Sequence, residues 1–228
     1  VYRPATGEPV AYDFREMAPS RAYPTMFMDG GAYDRVLHHD SHLAVGVPGT
    51  VAGLYLAWSD HGVLPWERLL APAIALARDG FPVSNPLARS LASVLPRMAD
   101  YPASVAQFSN DGAPYQTGEI LRQGELADTL IRISEEGPAG FYQGVTAELI
   151  EQEMAANGGF ITQVDLGAYR AIRRTPIRGT YRGHEILSMP PISSGGTAVI
   201  EMLNVLEGYD LARFGAGSAA TTHLLIEA

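Results

Sequence analysis

Residues 171–208 read AIRRTPIRGTYRGHEILSMPPISSGGTAVIEMLNVLEG, and they decide the fold class. Ala171–Arg178 and Tyr181–Met189 have the β-branched and alternating character of two strands, with Gly179 and Gly183 at bends. Pro190-Pro191 breaks the pattern, and Ser193-Ser194-Gly195-Gly196 reads as a flexible loop. Thr197 then caps a long helix with Val199, Ile200, Leu203 and Leu206 on one face and Gly208 at its end.

Upstream of this stretch the chain is mostly helical. Thr50 opens a helix with Leu54, Ala57 and Trp58 on one face and a stop at Gly62. Pro65 starts the next, with Leu69, Leu70, Ala73, Ile74 and Ala77 as its stripe and Gly80 as its end. Ser84 or Asn85 caps a third, with Leu87, Leu91, Val94 and Leu95 inward. Asp100–Gly118 reads as loop. Leu126, Leu130, Ile131 and Ile133 mark a helix ending at Gly137-Pro138, and Thr146–Asn157 another with Leu149, Ile150 and Met154 inward. Thr162-Gln163-Val164-Asp165 fits a capping box. At the start, Val1–Arg3 and Val10–Arg15 flank a turn and read as a hairpin. Arg21–His42 is irregular, with a turn at Asp29-Gly30-Gly31. Strand, many helices, strands, then helices is the order of an α+β fold.

The composition excludes several classes of chemistry. With 228 residues, 46% of them hydrophobic and 18% charged, the chain can bury a core. The net charge of −9 is repelled by phosphate backbones, so no nucleic-acid partner is expected. All 16 basic residues are Arg, which removes Schiff-base and P-loop lysines. Cys is absent, and with it thiol nucleophiles, thiolate metal sites and disulfides; this suits an oxidising compartment. The longest apolar stretch, near Leu69–Ala77, is too short for a membrane segment. Both ends read as cut, Val1 inside a strand and Thr221–Ala228 inside a helix.

Five places are weighed for chemistry. Arg15 stands at a strand end in Asp13-Phe14-Arg15-Glu16-Met17-Ala18-Pro19, a planar fork able to take a substrate carboxylate through two hydrogen bonds. From spacing alone, a structural ion pair with Asp13 or Glu16 is the preferred reading. Ser193–Gly196 before a helix can cradle an anion, but a strand-to-helix loop explains it more simply. His38, His39 and His42, with Asp40 among them, lack helical ligand spacing and read as a solvated cluster. Gly158-Gly159 and Asp165 read as a helix stop and a cap. Thr221-Thr222-His223 reads as helix surface.

Taken together, these motifs resemble the γ-glutamyltranspeptidase family. The resemblance is carried by Asp13–Pro19, by Ser41-His42-Leu43-Ala44 leading into Val47-Pro48-Gly49-Thr50-Val51-Ala52-Gly53, and by Ala75–Phe81. It continues through Gly137-Pro138, Phe141–Gly144, Asn157-Gly158-Gly159, and Asp165-Leu166 with Tyr169. Arg174-Thr175-Pro176-Ile177, Tyr181-Arg182-Gly183, Met189-Pro190-Pro191 and Ser193–Gly196 complete it. The resemblance implies the helix-rich part of the large subunit of a four-layer αββα N-terminal-nucleophile hydrolase, with residues 1–228 a partial large-subunit region of one such domain, cut at both ends. It implies a precursor that cleaves itself. The Thr nucleophile then opens a small subunit absent from this chain, so no catalytic residue is expected here and the chain alone is expected to be inactive.

The implied donors are glutathione and other γ-glutamyl amides; water, an amino acid or a peptide accepts the acyl group. The resemblance gives Arg15 the donor's α-carboxylate and requires no cofactor and no metal. It places the protein in the periplasm or outside the cell. A glutaryl or cephalosporin acylase of the same family is an alternative, and a non-catalytic scaffold fragment another. Thr221-Thr222-His223 mimics the start of the small subunit but stands in the wrong place, and no catalysis is assigned to it.

Overall fold

Asp13 is drawn into a two-stranded ladder by a segment about 160 residues away. In the computed structural model, which describes residues 8–228, β1 (Ala11–Asp13) pairs antiparallel with a strand at Ile172–Arg174, Ala11 opposite Arg174 and Asp13 opposite Ile172. The hairpin expected between Val1–Arg3 and Val10–Arg15 has its first strand outside the described residues.

In chain order, β1 is followed by β2 (Met28–Asp29), β3 (Ala32–Tyr33), α1 (Arg35–His39), α2 (Thr50–His61) and α3 (Trp66–Asp79). Then come β4 (Phe81–Pro82), α4 (Asn85–Val94), α5 (Pro102–Phe108), β5 (Ile120–Leu121), α6 (Gly124–Glu136) and α7 (Ala139–Tyr142). The last are α8 (Gly144–Ala156), α9 (Gln163–Ala168), β6 (Ile172–Arg174), β7 (Ile177–Tyr181), β8 (His184–Ser188), α10 (Ser194–Glu207), α11 (Leu211–Phe214) and α12 (Ala219–Glu227). Among the described residues the strands form four two-stranded antiparallel pairs. Helices and strands alternate irregularly, as expected of α+β. The described chain divides into two compact units. One holds the described residues up to Glu16 with Pro48–Leu56 and Arg170–Ala228; the other holds Met17–Val47 and Ala57–Tyr169.

In the first unit, β7 and β8 form a hairpin closed by Arg182 and Gly183, both at positive φ (49° and 80°), as a two-residue turn of this hand requires. Gly179 is therefore no bend. It lies within β7, where a Cβ would come 2.6 Å from Ile200 of α10. The helix rests on the hairpin there. It also starts earlier than expected: Ser193 is its N-cap, and Ser194–Gly196 form its first turn. Its inward line is Gly196, Ile200, Leu203 and Leu206, which turns Val199 outward to 43% exposure. Among the described residues the β7–β8 hairpin is the main surface against the helix, so one i, i+3/i+4 line is covered and its neighbours are not.

The second unit packs α3 against α6. Trp66 Nε1 donates to the carbonyl of Ile133 at 2.9 Å, and Trp66, Leu70, Ile74 and Ala77 face inward. Leu69 and Ala73, expected in that stripe, are exposed, as are Leu126 of α6, Leu149 of α8 and Leu54 of α2. Val83, Ala88, Leu91 and Leu121 form a core cluster beside the β4–β5 pair, with Ser84 capping α4. The expected loop 100–118 contains α5, which Pro102 starts. The expected irregular stretch contains the β2–β3 hairpin, turned by Gly30-Gly31, and α1, whose N-cap Asp34 accepts from the N–H groups of Val36 and Leu37.

The capping box at Thr162 is formed, and it reaches further than its own helix. Asp165 Oδ2 accepts from the N–H and the hydroxyl of Thr162 (2.9 and 2.7 Å), while Oδ1 accepts the N–H of Ser20 at 2.8 Å. Burial pushes the Asp165 carboxyl up, but these hydrogen bonds from Ser20 and Thr162 outweigh it and hold its pKa below the ordinary 3.8.

Candidate substrate-binding site

Arg15 follows β1 by two residues, and the ladder decides what surrounds it. Arg174 lies diagonally across from Asp13 on the same face, within reach of a long side chain. Its Nε donates to Asp13 Oδ2 at 2.6 Å, and the Asp13 side chain is 10% exposed. The other oxygen, Oδ1, accepts the backbone N–H of Arg15 at 3.2 Å. The ion pair expected between Arg15 and Asp13 is thus replaced by Arg174–Asp13. Of the two carboxylates considered for Arg15, Glu16 is the one it meets, at 3.3 Å through Nε, and both side chains are about 60% exposed. Arg15 Nη1 donates to the carbonyl of Ile192 at 3.1 Å, which aims the guanidinium along the segment leading into α10.

A cavity of about 320 Å³ opens at Arg15, bordered by Tyr12, Asp13, Thr50, Met189, Ile192 and Ser193. Three stretches singled out in the sequence meet there: the Asp13–Glu16 strand end, the start of α2 at Thr50, and the entry to α10 at Ser193. The N-terminal end of a fourteen-residue helix borders the cavity and adds positive potential beside the guanidinium. Gly53 explains why the second stretch needs its glycine. A Cβ there would lie 2.1–2.3 Å from Cγ, Cδ1 and Cβ of Phe14, so α2 is seated directly on the residue between Asp13 and Arg15.

The other candidates lie elsewhere in their units. His38 Nδ1 meets the Tyr33 hydroxyl at 2.8 Å, and its ring lies 4.4 Å from that of Phe27. His42 Nε2 meets Glu153 at 3.1 Å, and Asp40 pairs with Arg97 at 3.0 Å. Among the described residues, no three His, Asp or Glu side chains converge as a metal-ligand set. Thr221, expected on a helix surface, is buried in the first turn of α12. Its hydroxyl donates to the carbonyl of Gly215 at 2.8 Å, and the N-cap Ser218 accepts its N–H. Gly159 sits where a side chain would strike Met154, and Asp165 is the cap described above. Sequence reasoning does not single out Arg174 as the partner of Asp13. Its motif Arg174-Thr175-Pro176-Ile177 stood out, but only the cross-strand register reveals its partner. Among the described residues no helix is long and apolar enough to cross a membrane.

Comparison with known proteins places this geometry in a family. The family model described as gamma-glutamyltranspeptidase matches residues 1–228. The chain is 46% identical to the glutathione hydrolase proenzyme of Escherichia coli K12, over 99% of this chain and 39% of the relative. It is 43% identical to the acylase ACY 1 proenzyme of Pseudomonas sp. strain V22, over 81% of this chain and 33% of the relative. It superposes on the crystal structure of Helicobacter pylori gamma-glutamyltranspeptidase with a TM-score of 0.94 and 44% identity, covering 98% of this chain and 64% of that one. The chain thus spans about two-fifths of the length of the first of these curated relatives. With its motifs, its α+β architecture and both kinds of comparison in agreement, the chain belongs to the γ-glutamyltranspeptidase family.

Proposed function

We propose that this chain is the large-subunit portion of a γ-glutamyl hydrolase and transferase, and that Arg15 holds the donor's α-carboxylate. The observation that carries the reading is the placement of Arg15 at the mouth of a cavity, with Asp13 engaged by Arg174. Its contact with Glu16 is long and exposed, and exposed ion pairs of this kind contribute about 0–1 kcal/mol. A donor carboxylate can displace Glu16 cheaply. The donor gains two parallel, charge-assisted hydrogen bonds from a planar fork whose direction Ile192 already sets.

The rest of the reaction belongs to the small subunit of the same precursor, released by self-cleavage. A threonine at its new N-terminus attacks the γ-glutamyl carbonyl. Its own α-amine, with a pKa of roughly 8, accepts the proton. Backbone N–H groups stabilise the oxyanion. Water, an amino acid or a peptide then takes the acyl group. Arg15 supplies orientation: it fixes the far end of the glutamyl chain so that the carbonyl meets the nucleophile. No metal or organic cofactor takes part, and the mature protein works in the periplasm or outside the cell.

The test is Arg15→Ala in the complete, processed enzyme, with processing checked by gel. Two charge-assisted hydrogen bonds at about 1.5–3 kcal/mol each, at 1.4 kcal/mol per decade, predict a loss of at least about a hundredfold in kcat/KM for γ-glutamyl-p-nitroanilide. Arg15→Lys should recover part of it. Near-wild-type kcat/KM in Arg15→Ala would make Arg15 a structural residue. A second reading, glutaryl-amide acylase, is favoured by the similarity to the acylase proenzyme. A glutaryl group keeps the carboxylate and lacks only the amine, so Arg15 serves both donors. Parallel assays on γ-glutamyl and glutaryl amides separate them.

A further inference from the structure

Asp13 is a buried carboxylate two residues before Arg15, and its two oxygens are divided between two arginines. Oδ2 takes the Arg174 guanidinium at 2.6 Å; Oδ1 takes the backbone N–H of Arg15, at 3.2 Å. A buried carboxylate must be neutralised or strongly hydrogen-bonded, and a fork-shaped guanidinium does this best. The antiparallel β1–β6 register brings Arg174 to that position.

We infer that Arg174 is a positioning residue for donor recognition: by engaging the Asp13 carboxylate, it keeps that negative charge off the Arg15 guanidinium and fixes the strand end from which Arg15 projects. The inference rests on the reading of Arg15 as the donor's carboxylate site. Without Arg174, Asp13 is left a buried, uncompensated carboxylate. The cation next along the chain is Arg15, and Asp13 then competes with the donor for it. Neutralising Asp13 at the same time removes the competitor, while an Asn carbonyl oxygen still accepts the Arg15 N–H.

The experiment compares two donors in the complete processed enzyme: γ-glutamyl-p-nitroanilide, and the same anilide with its α-carboxylate converted to a carboxamide. The ratio of their kcat/KM values reads the carboxylate preference, and the fraction of correctly folded enzyme cancels from it. Arg174→Gln is expected to lower that preference about tenfold, the worth of one charge-assisted hydrogen bond, mainly by raising the KM of the carboxylate donor. Asp13→Asn/Arg174→Gln is expected to return the preference to within about threefold of wild type, a rescue that loss of a purely structural pair does not produce. An unchanged preference in Arg174→Gln, or a double variant no better than the single, overturns the inference. Arg15→Ala is measured beside them. If it abolishes the preference while Arg174→Gln leaves it intact, this inference alone fails. If Arg15→Ala leaves the preference intact, the reading of Arg15 fails and the inference falls with it. If Arg174→Gln yields no folded enzyme, Arg174→Lys decides: its point charge pairs less tightly, so about a threefold fall supports the inference and no change overturns it.

Discussion

Replacing Gly53 by Ala tests the packing that seats the candidate site. A methyl group there would lie 2.1 Å from Phe14 Cγ, 2.2 Å from Cδ1 and 2.3 Å from Cβ, where ordinary contact begins near 3.4 Å. Rotating the Phe14 ring clears the first two atoms and leaves the third, because Cβ moves only with the backbone. Either α2 lifts by about 1 Å or the strand end carrying Asp13, Phe14 and Arg15 shifts. Overpacking of this kind costs about 1–3 kcal/mol. Ala is better than Gly inside a helix by about 1 kcal/mol, which offsets part of it. Because no rotamer relieves the clash with Phe14 Cβ, the overpacking cost falls in the upper half of its range, about 2–3 kcal/mol, and the expected net loss is about 1–2 kcal/mol in the complete protein, read by urea denaturation at constant slope. The control is Gly167→Ala in α9, where nothing lies within 4 Å and a gain of about 0.5 kcal/mol is expected. A second readout ties the packing to function: Phe14 stands between Asp13 and Arg15, so Gly53→Ala should also raise the donor KM, and Gly167→Ala should not. Equal stability of Gly53→Ala and wild type would refute the close approach of α2 to Phe14.

Asp165 has a pKa below 3.8 in the folded protein, so its contribution to stability is complete above that value and is lost as pH falls through the folded pKa. Melting temperature against pH should drop steeply on this acid limb, and Asp165→Asn should flatten it while lowering stability at neutral pH; parallel curves would remove Asp165 from the account. Trp66→Phe deletes the indole donor to the Ile133 carbonyl and leaves space between α3 and α6, so a loss of about 2 kcal/mol is expected by denaturant titration.

The helices were legible where their punctuation was local. Pro65, Ser84, Gly80, Gly137 and the Thr162 box all act within a turn of themselves, and each marks an element end in the structure. Which side of a helix is buried was less legible. The apolar stripes of α3, α8 and α10 are wider than the surface that presses on them, and a stripe cannot say which of its edges is covered. Leu70 and Ile74 turned inward while Leu69 turned out, and Met154 turned inward while Leu149 turned out. Gly179, expected at a bend, lies inside β7 for a related reason. In a strand, glycine marks a bend or a close approach, and only the position of Ile200 distinguishes the two.

The site shows the same division between local and distant causes. Charge spacing along Asp13–Glu16 offers Arg15 two carboxylates, and local distance cannot rank them. The ranking is made by Arg174, about 160 residues away, through a ladder of three residue pairs. An arginine flanked by acids reads as self-neutralised until a second arginine is seen to hold one of the acids. With Asp13 engaged elsewhere, one contact that a donor carboxylate would have to displace at Arg15 is the exposed, 3.3 Å one with Glu16. Such a contact is weak in water and is screened by salt over about 8 Å at physiological ionic strength, whereas a donor lying in the cavity excludes water from its own contact with the guanidinium. On the proposed reading of Arg15 the balance favours the ligand over the Glu16 side chain, because the carboxylate that is hardest to displace is held by another strand.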